Sequence, residues 1–199
     1  LNVTGMTVLN NFTSAYGADA VAAMGIAQKV NMVPMQVALG FSQGIMPLIS
    51  YNYGSGNSRR MKDVFFFSSR ISLGISATVT LIYFFGAQGV VSLFMENPAI
   101  VAYGSRVLQG MCLGLPFLCM DFLAVGVFQA CGMGGKALAF AILRKIVLEI
   151  PALCILGSLF PLYGLAYAQF TAEVVLATAA VLVLTRLFRG LEKRESPLA

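Results

Sequence analysis

Between Ala20 and Tyr51 the chain carries one formally charged side chain, Lys29. A helix over that stretch is apolar on nearly every face, and about 20 such residues suffice to cross a bilayer. Similar stretches follow at 60–94, 99–131, 137–160 and 165–188. The opening residues 1–15 read as the second part of another helix. With 11% charged and 58% hydrophobic residues, the chain has too few charges to cover a water-facing surface, for which about 25% is usual. The expected fold class is therefore all-α: a polytopic membrane protein with a six-helix lobe whose first helix is partial.

The same composition excludes several chemistries. There is no histidine, which removes His-based metal sites and catalytic triads. Cys112, Cys119, Cys131 and Cys154 sit singly in apolar runs without a CxxC pair and read as small buried hydrophobes. No nucleophile–base or metal-ligand constellation marks an enzyme, and no metal or cofactor is expected. The opening "LNVTGMTVLNNF" lacks the charged n-region and small-residue cleavage site of a signal peptide. It reads as the interior of a helix, so the chain is expected to belong to a longer protein.

The breakers are "AYGAD", "NYGSGN", "MENPA", "GMGGK" and "PLYG". Short connections make neighbouring helices antiparallel. Arg59, Arg60 and Lys62 flank the second breaker, Lys136, Arg144 and Lys145 the fourth, and Arg186, Arg189, Lys193 and Arg194 follow the last helix. These are ten of the thirteen Lys and Arg residues. They fall at alternate ends, the positive-inside pattern, which accounts for the net charge of +5 without nucleic acid. It predicts a cell-membrane, multi-pass chain whose tail, 189–199, is cytoplasmic.

Polar residues inside such helices are costly, about 2.5–3.5 kcal/mol for a central charge, and should face an interior. Lys29, Gln36, Gln43 and Ser50 recur every seven residues on one drifting face, either a solvated cavity wall or polar contacts between helices. Asp121 lies on a stripe with Gly114, Phe117, Val125, Phe128 and Gly132. An acid flanked by aromatics suits a cation or proton site; the alternative is a salt bridge, with Lys29 as a candidate partner. Pro116 frees the carbonyl of Cys112 as a further ligand oxygen. Glu173, one turn beyond Gln169, is balanced between function and structure. Lys145 and Glu149 read as an interfacial ion pair, and Arg70 and Arg106 as snorkelling or paired cations.

The segment "AVAAMGIAQKVNMVPMQVALGFSQGIMPLISYNYGSGNSRRMK" resembles the eighth helix and following loop of multidrug and toxic compound extrusion (MATE) transporters. "LPFLCMDFLAVGVFQACG" is similar to their tenth helix, "LRKIVLEIPALCIL" to their eleventh, and "LYGLAYAQFTAEVV" to the start of their twelfth. The resemblance covers essentially the whole chain and implies the C-terminal one of two six-helix lobes, with the N-terminal lobe as its partner. It further implies export of small organic cations and drugs, driven by inward Na⁺ or H⁺. Members with a cation site in this lobe place an acid where Asp121 stands. Their seventh-helix glutamate is matched here by Asn2, and an aromatic hydroxyl one turn before the acid by Phe117, which leaves that ligand set incomplete.

The resulting expectation is one lobe of a cation-coupled drug antiporter working by alternating access. Asp121 and Glu173 are its ion-coupling candidates; Gln36, Gln43, Phe117, Phe128 and Gln129 are its cavity-lining candidates. The rivals are a lipid-linked oligosaccharide flippase, which needs a more cationic cavity than Lys29 and Arg70 provide, and a non-transporting membrane assembly subunit, in which all polar stripes pair off.

Overall fold

The computed structural model describes residues 14, 17–159 and 163–195, without the side chains of 145, 156–159, 163–166 and 192–195. The expected first helix and Asn2 lie outside the described residues, Ser14 excepted. The rest is helical: α1 (Ala18–Gly54), α2 (Ser58–Ser92), α3 (Pro98–Cys112), α4 (Leu115–Ala130), α5 (Gly134–Ile142), a π-helical turn (Leu143–Glu149), α6 (Ile150–Leu159) and α7 (Tyr163–Glu195). At 1.5 Å per residue, the 37 residues of α1 and the 35 of α2 exceed the thickness of a bilayer. Three helices are long and apolar enough to cross, and α3 with α4, bent by 45°, forms a fourth candidate span.

The ends of these helices follow from local chemistry. Gly56 and Gly132 have φ of 72° and 71°, a region in which residues with a Cβ are strained. At each, two amides fold back on the preceding turn: Asn57 N to Asn52 O with Gly56 N to Tyr53 O, and Met133 N to Phe128 O with Gly132 N to Gln129 O. These are Schellman closures. Asn57 and Asn97 then cap the next helices by accepting from Arg60 N and Ala99 N, each at 3.0 Å, with Pro98 at the first turn of α3.

Two expected helices are not continuous. The 99–131 span breaks between Cys112 and Leu115 because Pro116, in the first turn of α4, cannot donate back along the chain. The 137–160 span holds the π turn immediately before Pro151. The wider ring there keeps the preceding carbonyls clear of the proline ring. The last helix runs to Glu195, so much of the charged tail is helical.

In hydrocarbon a freed backbone carbonyl needs a partner from a neighbouring helix. Pro34 frees the carbonyl of Val30, and Tyr83 of α2 donates its hydroxyl to it at 3.3 Å. Pro116 frees the carbonyl of Cys112, and Thr80 of α2 donates to it at 3.1 Å. That carbonyl is therefore engaged by α2, not presented to the Asp121 site as the sequence suggested. Ser42 of α1 donates to Phe122 O of α4 at 2.6 Å. The contact requires Gly126, where any Cβ would collide with the Ser42 hydroxyl.

Helix α1 packs on α3 and α4, and α4 on α7. One apolar cluster gathers Ile49, Phe65, Leu123, Val127, Phe128 and Phe188; another joins Met24, Val30, Val91, Val107 and Leu108. Large apolar side chains also face outward, Phe85 at 82% and Phe67 at 66% exposure, as expected where lipid is the solvent. Cys154 is exposed while the other three cysteines are buried and all are free, which corrects the expectation for Cys154.

Tyr83→Phe and Thr80→Val should each destabilise the chain by roughly 0.5–2 kcal/mol, the range for interhelical hydrogen bonds in membranes. Unfolding in mixed micelles reads this directly. No loss in either variant would mean that the proline carbonyls find other partners.

Candidate functional site

Three ionisable residues reach the middle of the bundle from three different elements. Asp121 lies ten residues before Cys131, at the end of α4. Glu173 lies ten residues after Tyr163, the start of α7, and Arg144 ten residues after Gly134, the start of α5. Ten residues correspond to roughly 15 Å of α-helix, about half of a ~30 Å hydrocarbon core. The spans thus bring all three to similar depth.

They meet there. Arg144 Nη1 lies 3.1 Å from Asp121 Oδ2, in a hydrogen-bonded ion pair. Its Nε lies 3.9 Å from Glu173 Oε1. The guanidinium carbon stands 4.9 Å from the centroid of the Phe122 ring, a cation–π distance. Both acids are 2% exposed. Gly114, at the α3–α4 break, faces the backbone of Phe170 and the side chain of Glu173 on α7. Phe117 and Phe170 meet edge to face at 5.9 Å on the same pair of helices.

The pairing follows from cost. A lone charge at this depth costs about 2.5–3.5 kcal/mol on insertion scales; an ion pair with further hydrogen bonds offsets part of it. The offset is incomplete. Asp121 Oδ1 is buried and has no hydrogen-bond partner among the described residues. Two carboxylates and one guanidinium carry a formal charge of −1.

The acid's partner is Arg144, and not Lys29. Lys29 is exposed and lies thirteen residues before Ser42, the α1 residue that touches Phe122. That places it roughly 20 Å away along the helix. Arg144 had been counted among the cations flanking a loop; it leaves that count, because it points into the bundle. The side chain of Lys145 lies outside the described residues, and Glu149 is half-buried.

The other candidates separate. Gln36 and Gln43 are exposed, as are Lys29 and Ser50 of the same stripe, so the stripe is not engaged by helices of this lobe among the described residues. Gln129 is exposed and Phe117 half-buried. Phe128 is fully buried and packs 5.3 Å from Phe140 in the core. It does not line an open wall: eleven residues keep it on nearly the same helix face as Phe117, but at its level Phe140 of α5 packs over that face. An apolar cleft of ≈160 Å³ opens between α1, α2 and α4, with Val37, Phe41, Ile75 and Tyr83 in its walls. None of the five expected cavity residues lines it.

Sequence reasoning missed Arg144 and Phe122 as site residues. It also passed over Gln28 and Asn31 of α1, whose Nε2 and Oδ1 are buried without hydrogen-bond partners among the described residues. No group of three or more His, Cys, Asp or Glu side chains placed to hold a metal occurs among the described residues.

Comparison with known proteins agrees on one family. The MatE family model matches residues 1–155. The chain is 35% identical over 186 residues to the multidrug export protein MepA of Staphylococcus haemolyticus. It is 36% identical over 184 residues to MepA of Staphylococcus aureus strain MRSA252. Each match covers 92% of this chain and 40% of the relative, so the chain spans about 40% of the length of these curated relatives. Among solved structures, the Vibrio cholerae MATE transporter VcmN in its bent form superposes with a TM-score of 0.89 at 18% identity, covering 96% of this chain and 43% of that one. The outward-facing and inward-facing structures of a multidrug resistance MATE family transporter each give 0.89, at 21% and 20% identity. They cover 96% of this chain and 43% and 44% of theirs.

Phe128→Ala should cost about 3 kcal/mol or more, as for a fully buried aromatic, and Phe117→Ala clearly less. Unfolding in mixed micelles ranks the two. A cheap Phe128→Ala would return that residue to an open wall.

Proposed function

Because this chain belongs to the MatE family, we propose that it forms the C-terminal lobe of a multidrug exporter, which moves small organic cations outward in exchange for inward Na⁺ or H⁺. The observation that carries the coupling part of this reading is the buried Asp121–Arg144–Glu173 group, with its formal charge of −1 and an Asp121 carboxylate oxygen that has no hydrogen-bond partner among the described residues. A cation or proton entering there neutralises the group, and its departure restores the charge. Since a buried charge is costly, occupancy changes the free energy of the lobe by enough to bias a conformational equilibrium.

In this reading the exposed Gln36, Gln43 and Gln129, with half-buried Phe117, face the partner lobe across a central cavity. The glutamines offer hydrogen bonds and Phe117 a ring face. Phe128 has no part in it. Transporter sites of this kind lie at the repeat interface near the midplane, the depth that Asp121 and Glu173 reach. The equal match to outward-facing and inward-facing structures supports a lobe that moves as one body during alternating access. The MepA relatives are named multidrug export proteins, which supports drugs as the substrate class. No observation favours the flippase or the assembly subunit over this reading.

The test is a chimera in which this chain replaces the matched segment of S. aureus MepA. Vesicles holding it should export ethidium when an inward Na⁺ or H⁺ gradient is imposed. Asp121→Asn should abolish gradient-driven efflux with folding and insertion intact. Efflux unchanged in a well-folded Asp121→Asn chimera would remove the coupling role. A correctly inserted chimera that never exports would favour the flippase or the assembly subunit.

The orientation is a separate expectation. The 55–57 connection, next to Arg59 and Arg60, should be cytoplasmic. A cysteine at exposed Ser55, in a background with the native cysteines changed to Ala, should resist impermeant thiol reagents in intact cells. Labelling from outside would invert the lobe.

A further inference from the structure

The arginine between the two acids is more than a neutralising partner. It does not come from a regular helix: Arg144 is the second residue of the π turn Leu143–Glu149. Such turns place a side chain out of α-helical register and recur at functional sites. The guanidinium has Asp121 on one edge at 3.1 Å and Glu173 on another at 3.9 Å, with the Phe122 ring beside it. It stands where a monovalent cation shared by two carboxylates would be held. Asp121 Oδ1 remains buried and without a hydrogen-bond partner among the described residues.

We propose that Arg144 is a tethered cation. Seated on the π turn between Asp121 and Glu173, it occupies the place of a bound alkali-metal ion and so determines which cations the site accepts. The inference rests on the coupling reading of those two carboxylates and adds a specificity-determining residue to it. While Arg144 is seated, a metal cation meets a positive charge where its ligands converge. A proton needs only one carboxylate oxygen and is not shut out in that way. Removing the guanidinium charge converts the pair into a site of charge −2, open to Na⁺. The side chain acts through its charge and its position on the turn, so a lysine on the same turn preserves much of the effect.

The experiment measures binding of radioactive sodium to the full chain in lipid nanodiscs. Choline replaces sodium at constant ionic strength. Wild type should bind weakly. Arg144→Gln should bind at least about tenfold more tightly, the low end of what one charge within 4–6 Å does to a carboxylate equilibrium. Arg144→Lys should stay near wild type, and Asp121→Asn added to Arg144→Gln should abolish the gain. Should Arg144→Gln alone fail to fold, Arg144→Gln with Glu173→Gln has the same formal charge of −1 as wild type and no tethered cation. It should also bind sodium more tightly than wild type. A folded variant of either kind with no gain overturns the proposal. Loss of efflux in Asp121→Asn without any sodium gain in the Arg144 variants would leave the coupling reading standing and remove only the tethered cation. Efflux surviving Asp121→Asn removes the coupling reading itself.

Discussion

Every polar group placed in hydrocarbon must find its partner inside the protein, and this lobe is arranged around that constraint. Helix α1 contains Pro34 and Pro47, and the third and fourth helices are split at Pro116. Each proline leaves a carbonyl without its helical donor. At Val30 and Cys112 the donor comes from α2, through Tyr83 and Thr80. One helix thus supplies the donors for both freed carbonyls. The bend between α3 and α4 sets the course of α4, and Gly126 lies at its contact with α1, where a Cβ would collide with Ser42 and a small residue allows the backbones to approach.

The same constraint acts on charge, with larger energies. Asp121, Glu173 and Arg144 come from three separate elements and are tolerable at that depth only together. Their meeting depends on the α3–α4 break and on the π turn. A continuous α-helix through 137–160 would turn Arg144 to a different azimuth. The irregular features of the backbone therefore converge on one place. Prolines and a π turn cost stability in a helix, and here they bring three charges into contact.

The fold was largely legible in the sequence because its signals are long and redundant. Apolar runs of spanning length, glycine breakers with basic flanks and quoted motifs all pointed to one helical lobe. Asp121 and Glu173 were legible as acids too deep for lipid. The pairing was not. Arg144 lies beside Lys145 and near Lys136, so a count of cations along the chain assigned it to a loop edge. Only the angular position given by the π turn distinguishes an inward arginine from a snorkelling one. Phe128 failed for a related reason. A stripe drawn on one straight helix put it in line with Phe117 and Asp121, whereas the packed bundle gives that azimuth to α5 and the core. Depth can be read by counting residues; azimuth depends on breaks whose rotation the sequence does not state.

The central claim is that Arg144 lies inside the bundle against Asp121 and not at the membrane surface. Solid-state NMR of the chain in bilayers, with the arginine guanidinium nitrogens and aspartate carboxyl carbons labelled, tests this through their dipolar coupling. The account predicts a through-space coupling that corresponds to the 3.1 Å Nη1–Oδ2 contact, absent in Arg144→Gln and insensitive to paramagnetic ions in the water phase. An Arg144 with no coupling to Asp121, and with its signal broadened by those ions, would contradict it.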